Sequence, residues 1–190
     1  MTMRRIGLFG GSFDPPHVGH LHVANAAREQ LNLDELRFIV AARPWMKSTV
    51  ATPEQRLAMT QLLVDGHDGV TVDDRELRRD GPTYTVDTLE AIRAEEPDIE
   101  LVFLLGVDTA AHLDAWHRID EAFALASFVA LTRPGYQSPP TLTIPVIAVP
   151  ERDVSSQEVR QRLENGEDVA RLVPDTVLDY INRHGLYPKR

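Results

Sequence analysis

The sequence contains no cysteine among its 190 residues. Disulfide bonds, thiolate catalysis and cysteine-ligated zinc are therefore excluded. Long apolar runs are also lacking, because no stretch approaches the roughly 18 apolar residues of a transmembrane helix. The apolar residues near the N-terminus, in RRIGLF, form too short a run for a signal peptide and are typical of a first core strand. We therefore expect a cytoplasmic protein.

Positive charge is scarce as well, because 20 lysines and arginines face 29 acidic residues, for a net charge of −9. This argues against nonspecific binding to nucleic acid or to an anionic membrane, although a local basic pocket for a phosphate ligand remains compatible with it. The hydrophobic content of 43% is ordinary for a globular protein. We expect a single domain over residues 1–190, with a helical C-terminal part from about residue 151 to residue 190. The sequence is also compatible with a homo-oligomer.

Apolar runs alternate with helical patterns along the chain. The predicted strands are 5–10, 35–42, 69–77, 99–106, 127–132 and 142–150, and the main predicted helices are 18–31, 52–66, 83–97, 155–166 and 174–185. This alternation predicts an α/β fold, a Rossmann-like doubly wound parallel sheet with helices on both faces. In such sheets the ligand binds at the carboxyl ends of the strands. The candidate functional residues are therefore those that directly follow a strand.

Two of the predicted helices begin with capping signals. Thr52 and Gln55 have the spacing of a capping box, with Pro53 at the first helical position. Ser155 and Glu158 have the same spacing. We expect a reciprocal pair of capping hydrogen bonds at both helix starts.

The first strand is followed by GGSFDPPHVGH, residues 10–20. Gly10 and Gly11 permit a close approach of the backbone or a positive φ, and they expose N–H groups toward a ligand. The two prolines force an extended turn, so that the next helix begins near His17. Residues three apart share one face of a helix, which places His17 and His20 together near the helix N-terminus. Gly19 between them leaves the backbone open to a closely approaching group.

A helix N-terminus attracts anions, and two imidazoles there add hydrogen-bond donors aimed at the same place. The expected ligand is a polyphosphate, and the expected task is to stabilise the charge that develops in phosphoryl or nucleotidyl transfer. The residues alone leave two alternatives open. One is an ordinary pair of histidines, and the other is a metal site that includes Asp14.

GGSFDPPHVGH resembles the HxGH signature of the nucleotidylyltransferase superfamily. The segments PWMK, GPTYTVDTL, GVDTAAHLDAW, RPGY, SSQEVRQRL and LVPDTVLDYINRHGLY resemble those of the bacterial nicotinate-nucleotide adenylyltransferases. The resemblance covers essentially the whole chain, in order. It implies that the 5′-phosphate of nicotinate mononucleotide attacks the α-phosphorus of ATP in line, which gives deamido-NAD and pyrophosphate.

The resemblance also implies a role for individual residues. Mg²⁺ is expected to arrive with ATP, without a dedicated protein cage, because it prefers phosphate oxygens and water. The catalytic residues implied are His17, His20, Lys47 and Arg160. The ATP-binding residues implied are Gly10, Gly11, Ser12, Phe13, His17, His20, Gly106, Asp108, Ser155, Ser156 and Arg160, and those for the mononucleotide are Lys47, Tyr84, Thr85, Trp116 and Arg133.

The residue types in the later loops agree with these roles. The helix predicted after GPTYT has no acid in its first residues, so the N–H groups of Tyr84 and Thr85 are free for the pyridine carboxylate. Trp116 offers a flat face for the pyridine ring, or else packs in the core. Asp108 can accept hydrogen bonds from two ribose hydroxyls or cap a helix. Arg160 can reach the triphosphate or remain a surface charge.

Two rival functions stay open at this point. One is a sister enzyme that transfers a nucleotide to phosphopantetheine or to a small alcohol phosphate, against which Trp116 and GPTYT argue. The other is a non-catalytic module that senses nucleotides. The intact set of His17, His20, Lys47 and Arg160 argues against lost catalysis.

Overall fold

A six-stranded parallel sheet forms the centre of the protein, with the strand order β3-β2-β1-β4-β5-β6. The computed structural model describes residues 3–44, 48–132, 142–149 and 154–189. The predicted α/β doubly wound fold is confirmed. The strands are β1 (Arg4–Gly11), β2 (Glu35–Val40), β3 (Val70–Asp73), β4 (Ile99–Gly106), β5 (Ser127–Thr132) and β6 (Val146–Ala148).

Helices connect the strands and cover both faces of the sheet. None of them, within the described ranges, is long and apolar enough to cross a membrane. The helices are α1 (Val18–Gln30), α2 (Pro53–Val64), α3 (Thr85–Glu95), α4 (Val107–Ala110), α5 (Ile119–Leu125), α6 (Ser156–Asn165) and α7 (Asp175–Arg183), with a 3-10 turn at Leu113–Ala115.

The order of the strands creates a switch point between β1 and β4. From β1 the chain winds outward through β2 and β3, and from β4 it winds the other way through β5 and β6. The loops that follow β1 and β4 therefore turn to opposite faces and leave a crevice at the carboxyl end of the sheet. This is the edge at which the sequence predicts the ligand.

The sheet separates two hydrophobic cores. Along β4, Val102 and Leu104 pack with residues of α1, α2 and α7, whereas Leu101, Phe103 and Leu105 pack with residues of α3 and α5. Successive side chains of a strand point to opposite faces, so both faces of β4 must be apolar. This explains the uninterrupted apolar run of residues 101–105 and why the bounds of β4 match the prediction.

Three strands are shorter than predicted: β2 ends two residues early, at Val40, and β3 and β6 differ more. β3 ends at Asp73, whose Oδ1 accepts the N–H of Arg75 at 2.9 Å and starts a turn where we expect strand up to residue 77. β6 begins only after Pro145, which has no N–H for the ladder. The alternating and apolar patterns continue past both strands, so they do not reveal these ends.

The capping predictions have different outcomes. At α2, Gln55 N–H donates to Thr52 Oγ1 and the Gln55 side chain accepts the Thr52 N–H at 2.9 Å, so the capping box is confirmed. At α6, Ser155 Oγ accepts the Glu158 N–H at 3.1 Å. The reciprocal half is wrong, because the Glu158 carboxylate lies 2.8 Å from Arg162 Nη2, one turn further along the helix.

Candidate active site

The two histidines of the HVGH segment cap helix α1 and each other. His17 is the N-cap residue and His20 is the third residue of the helix. The His20 N–H donates to His17 Nδ1 at 3.3 Å, and the His17 N–H donates to His20 Nδ1 at 3.2 Å. The rings stack with their centroids 3.6 Å apart. The expected position of both side chains at the helix start is confirmed.

These capping bonds decide which nitrogen can face a ligand. In each ring Nδ1 accepts a backbone hydrogen bond, so contact with a ligand falls to Nε2. Burial lowers the pKa of His17 to about 4, and the ring is therefore neutral at neutral pH. A neutral ring that accepts at Nδ1 carries its proton on Nε2. His17 offers one N–H donor to a ligand rather than a positive charge.

The same geometry argues against the metal alternative for His17. Its Nδ1 lone pair holds the His20 N–H, and its Nε2 carries the proton, so neither nitrogen is available to a cation. Nowhere in the described ranges do three or more His, Asp or Glu side chains converge as a metal site. The paired imidazoles are instead suited to an anion.

Gly19 is required by the protein itself. A Cβ at this position would lie 2.7 Å from Val154 Cγ1 and 3.0 Å from His17 Nδ1. The closely approaching group that we expect at Gly19 is therefore the segment before α6.

Gly10 and Gly11 are the last residues of β1 and have extended backbone, so the alternative of a positive φ is wrong. A Cβ on Gly11 would lie 2.6 Å from the Phe13 ring, and one on Gly10 would lie 3.2 Å from Phe103. Phe13 itself has a positive φ of 49° and a buried side chain. Any contact of Phe13 with ATP is left to its backbone.

Helix α6 is docked on the loop that carries the histidines. The Ser156 hydroxyl donates to the carbonyl of Pro15 at 2.9 Å, and the Arg160 guanidinium donates to the carbonyl of Asp14. Ser155 is the N-cap of the same helix. The structure thus brings Ser155, Ser156 and Arg160 to the histidine loop, as the phosphate-binding role requires.

The Asp14 carboxylate is buried at the centre of this junction. It accepts the N–H groups of Val50 and Ala51, at 2.6 and 3.1 Å, and the hydroxyl of Tyr187, at 2.6 Å. These bonds use both of its oxygens. Asp14 therefore has a structural task and is not free to bind a cation.

Arg56 is a buried residue that the sequence analysis misses. It is fully buried on α2, where its guanidinium donates to the carbonyls of Ser12 at 2.7 Å and Ala42 at 3.1 Å. It thereby ties the loop after β1 to the loop after β2. An arginine within a helical pattern is typical of a solvent-exposed face, so no sequence signal indicates this role.

A cavity of about 180 Å³ opens at the carboxyl ends of β1, β2 and β4. A second hollow continues from it along the start of α3 and shares part of its wall. Six predicted residues for ATP or the mononucleotide line the first cavity, together with two charged residues that we do not predict. The six are Gly10, Gly11, Ser12, Gly106, Thr85 and Trp116, and the two are Arg43 and Glu76. Thr85 and Trp116 line both spaces.

Trp116 packs in the aromatic core and also borders the cavity. Its half-buried ring packs edge-on against Phe103 and Phe128, with centroid distances of 6.0 and 6.4 Å. It also lines the cavity. Its Nε1 is buried and has no hydrogen-bond partner within the described part of the chain. The aromatic core therefore holds the indole firmly beside an open space.

The start of α3 presents free backbone donors to the same space. Tyr84 is the N-cap and forms no side-chain capping bond. For the N–H groups of Tyr84 and Thr85, no acceptor is found among the described residues. Asp87 is the third helical residue, and its carboxylate faces Arg118 at 3.5 Å. The donors thus remain available to an anion, as predicted.

Glu76 is the second residue that the sequence analysis misses. Its carboxyl group is buried in the cavity wall, and its Oε1 accepts the Thr88 hydroxyl at 2.9 Å. Burial raises the pKa of Glu76 to about 7, against the opposing effects of Thr88 and Arg79. Ending the third strand at Asp73 would have placed Glu76 just after a strand, which is the signal that marks the other candidates.

Asp108 does not line the cavity. Asp108 is exposed in the first turn of α4, and Gly106 is the N-cap there, so the capping alternative for Asp108 is wrong. Lys47 and Arg133 lie outside the described residues. Their roles stay predictions.

The doubly wound sheet, with paired imidazoles at the helix start after its first strand, defines a nucleotidyltransferase. A family model described as cytidylyltransferase-like matches residues 8–162. The chain is 40% identical to a Geobacillus thermodenitrificans protein named "Probable nicotinate-nucleotide adenylyltransferase", over 99% of this chain and 88% of the relative. An Oceanobacillus iheyensis protein of the same name is 38% identical over 97% of both chains. The chain belongs to the nicotinate-nucleotide adenylyltransferase family.

Solved structures agree on the fold. The Plasmodium falciparum nicotinic acid mononucleotide adenylyltransferase complexed with NaAD superposes with a TM-score of 0.79, at 20% identity and with 97% of both chains covered. The same enzyme complexed with APC superposes with a TM-score of 0.76. At this identity the likeness supports the architecture, and residue roles must be argued from this chain.

Proposed function

We propose that this protein joins ATP and nicotinate mononucleotide to give deamido-NAD and pyrophosphate, a step of NAD biosynthesis. The observation that carries the proposal is the junction of two subsites at the switch point. One is the anion site of His17, His20 and α6, and the other is the cavity beside Trp116 and the start of α3. We also propose a cytoplasmic location. ATP is available there, and proteins of that compartment ordinarily lack disulfide bonds.

The reaction needs no covalent enzyme intermediate, because the nucleophile is already an anionic phosphate oxygen. That oxygen forms a bond to the α-phosphorus of ATP, the bond from this phosphorus to the bridging oxygen breaks, and pyrophosphate leaves with the electron pair. The protein contributes position and charge stabilisation. His17 and His20 donate from Nε2, and Arg160 adds positive charge from α6. Lys47 is proposed as a further phosphate contact.

The ring of the mononucleotide is assigned to the cavity. Trp116 supplies a flat face for the pyridine, and the N–H groups of Tyr84 and Thr85 hold its carboxylate at the positive end of α3. Asp108 and Gly106 lie at the end of β4, where the ribose and phosphates of ATP would pass. Arg133 is proposed as a second contact with the mononucleotide.

Mg²⁺ is proposed to be held by the phosphates of ATP. The donor set of this chain fits that arrangement, because His17 is an N–H donor and the Asp14 carboxylate is fully engaged. Mg²⁺ keeps several waters and commonly binds through substrate phosphates. When bound, it would neutralise negative charge that builds up on the leaving pyrophosphate.

Release of pyrophosphate tests the proposal. The protein is incubated with ATP and nicotinate mononucleotide, and parallel reactions contain phosphopantetheine or a small alcohol phosphate with CTP. We expect release only with the pyridine mononucleotide, together with a product of the mass of deamido-NAD. Release with another acceptor alone, or none at all, would refute the proposed function.

A further inference from the structure

Glu76 is a buried carboxyl group to which the proposed reaction gives no task. Only 8% of the residue is exposed. It lines the same cavity as Thr85 and Trp116. Its Oε1 accepts the hydroxyl of Thr88, which lies one turn after Tyr84 on α3. A carboxyl group therefore shares a small space with the N–H groups that we assign to the pyridine carboxylate.

The wall around Glu76 can satisfy both protonation states. The Thr88 hydroxyl lies 2.9 Å from Glu76 Oε1 and 3.5 Å from the carbonyl of Tyr84. When Glu76 is ionised, Thr88 donates to it. When Glu76 is neutral, its own O–H can donate to Thr88 Oγ1, and Thr88 can turn its proton to Tyr84. Glu76 can thus gain or lose its proton while its hydrogen bond with Thr88 is kept.

The charged groups around Glu76 come from three segments. Arg79 and Asp73 lie on its own segment, Asp87 on α3 accepts from Arg79 through its carbonyl, and Arg43 follows β2 on the cavity wall. Burial outweighs the net effect of its neighbours and keeps the pKa near 7. Neutral and ionised forms are therefore both populated near neutral pH.

We propose that Glu76 sets the choice between the acid and the amide forms of the pyridine mononucleotide. This inference rests on the proposed function. In its neutral form Glu76 admits the nicotinate carboxylate to the cavity. In its ionised form it repels that carboxylate, whereas it can accept a hydrogen bond from the amide N–H of nicotinamide mononucleotide. The acid form is preferred at low pH, and the preference declines as the pH rises.

The experiment compares kcat/KM for the acid and the amide mononucleotides in the same enzyme preparation. The ratio of the two values cancels the titration of ATP and of the 5′-phosphate, because both reactions share them. We expect the acid-to-amide ratio of the wild-type enzyme to fall about 30-fold between about pH 6 and about pH 8.5. In Glu76→Gln, which keeps an acceptor for Thr88 and cannot ionise, the ratio should be nearly constant.

A matched control and a second measurement protect the test. Glu29→Gln changes an exposed carboxylate on α1 and should retain the wild-type fall in the ratio. Isothermal titration of the wild-type enzyme at about pH 8, in two buffers of different ionisation enthalpy, counts protons on binding. Binding of nicotinate mononucleotide should be accompanied by the uptake of close to one proton more than binding of nicotinamide mononucleotide. This measurement does not depend on how Glu76→Gln folds.

The outcomes separate the two proposals. If the acid mononucleotide is turned over but the ratio is independent of pH, or falls equally in Glu76→Gln, the role of Glu76 is overturned and the proposed function stands. Equal proton uptake for the two ligands overturns the role as well. If neither mononucleotide releases pyrophosphate, the proposed function fails and this inference fails with it.

Discussion

In each imidazole of the HVGH segment, the two nitrogens have different roles. Nδ1 accepts a backbone N–H at the start of α1, and Nε2 is the nitrogen that can donate to a ligand. In an ordinary capping box, Ser or Thr is paired with Glu or Gln three residues later. A Ser or Thr paired with Glu would cap α1 equally well but would offer no side-chain N–H donor. The imidazoles therefore point to a requirement of the ligand rather than of the helix.

The variants His17→Asn and His20→Gln separate the two tasks. Asn is a good N-cap residue, and Gln at the third position completes a capping box, so α1 should form in both. The amide N–H groups of Asn and Gln do not replace the imidazole Nε2–H in its position, and loss of one preorganised donor is expected to reduce kcat on the order of 10²–10³-fold. Steady-state pyrophosphate release measures the effect, and circular dichroism checks the helix content.

The exposed His67 provides the control for these variants. It lies in the loop after α2, away from the cavity, so His67→Ala should retain wild-type turnover. Wild-type turnover in both His17→Asn and His20→Gln would show that the imidazoles only cap the helix.

Trp116→Ala should weaken binding of the mononucleotide more than that of ATP. Stacking of a base on an aromatic side chain is worth roughly 1–3 kcal/mol, which corresponds to an increase in KM of about 5- to 150-fold. Trp116→Phe keeps a flat ring and should recover much of the loss. KM values for both substrates measure this, and an equal rise for ATP would assign Trp116 to the core alone.

The side chains that the sequence predicts are those whose neighbours along the chain explain them. His17 and His20 cap each other across three residues, and a local pattern can show that. Arg56 and Glu76 are different, because their partners at Ser12, Ala42 and Thr88 come from other segments. Tertiary contacts of this kind leave no local signal.

Strands buried on both faces are the best predicted elements. β4 and β5 have the predicted bounds, since their apolar runs end where burial ends. Edge strands β3 and β6 are overextended in the prediction. One face of an edge strand needs no apolar residue, so its pattern continues into the turn that follows. Because the predicted β3 continues to residue 77, Glu76 falls inside the predicted strand and not directly after it.

The N-terminus of α3 can be tested with a proline. Pro is well tolerated at the first helical position, and Tyr84, at φ −110° and ψ 139°, already has the conformation favoured before proline. Thr85→Pro therefore removes one backbone N–H while the helix should still form. We expect KM for nicotinate mononucleotide to rise roughly 10- to 100-fold, because a hydrogen bond to a charged group is lost.

The control for this variant is Thr85→Ala, which keeps the N–H and should bind nicotinate mononucleotide nearly as the wild-type enzyme does. The amide mononucleotide should lose less than the acid in Thr85→Pro, since its oxygen is neutral. If Thr85→Pro binds both ligands like the wild-type enzyme, the start of α3 does not hold the carboxylate.

Long-range polar bonds assemble the complete site from distant parts of the chain. Asp14 receives the hydroxyl of Tyr187, 173 residues away, and Ser156 reaches Pro15 across 141 residues. Arg56, buried on α2, donates hydrogen bonds to the loops after β1 and β2 and holds them together. The switch point of the sheet brings these loops together, and the buried polar bonds then fix their relative positions. The site is therefore a property of the assembled fold.

Glu76→Gln is expected to stabilise the fold at alkaline pH and much less at acid pH. The native state raises the pKa of Glu76 from 4.5 to about 7, so it binds the proton more tightly than the unfolded chain does. As pH rises from 4.5 to 7, the unfolded chain loses the proton first, and the wild-type protein loses stability until the pH passes the native value. The gain from the substitution should therefore increase by on the order of 2–3 kcal/mol between about pH 5 and about pH 8. Denaturant unfolding at the two pH values measures it, with Glu29→Gln as the exposed control. A gain that is equal at both pH values would mean that the fold does not hold this proton.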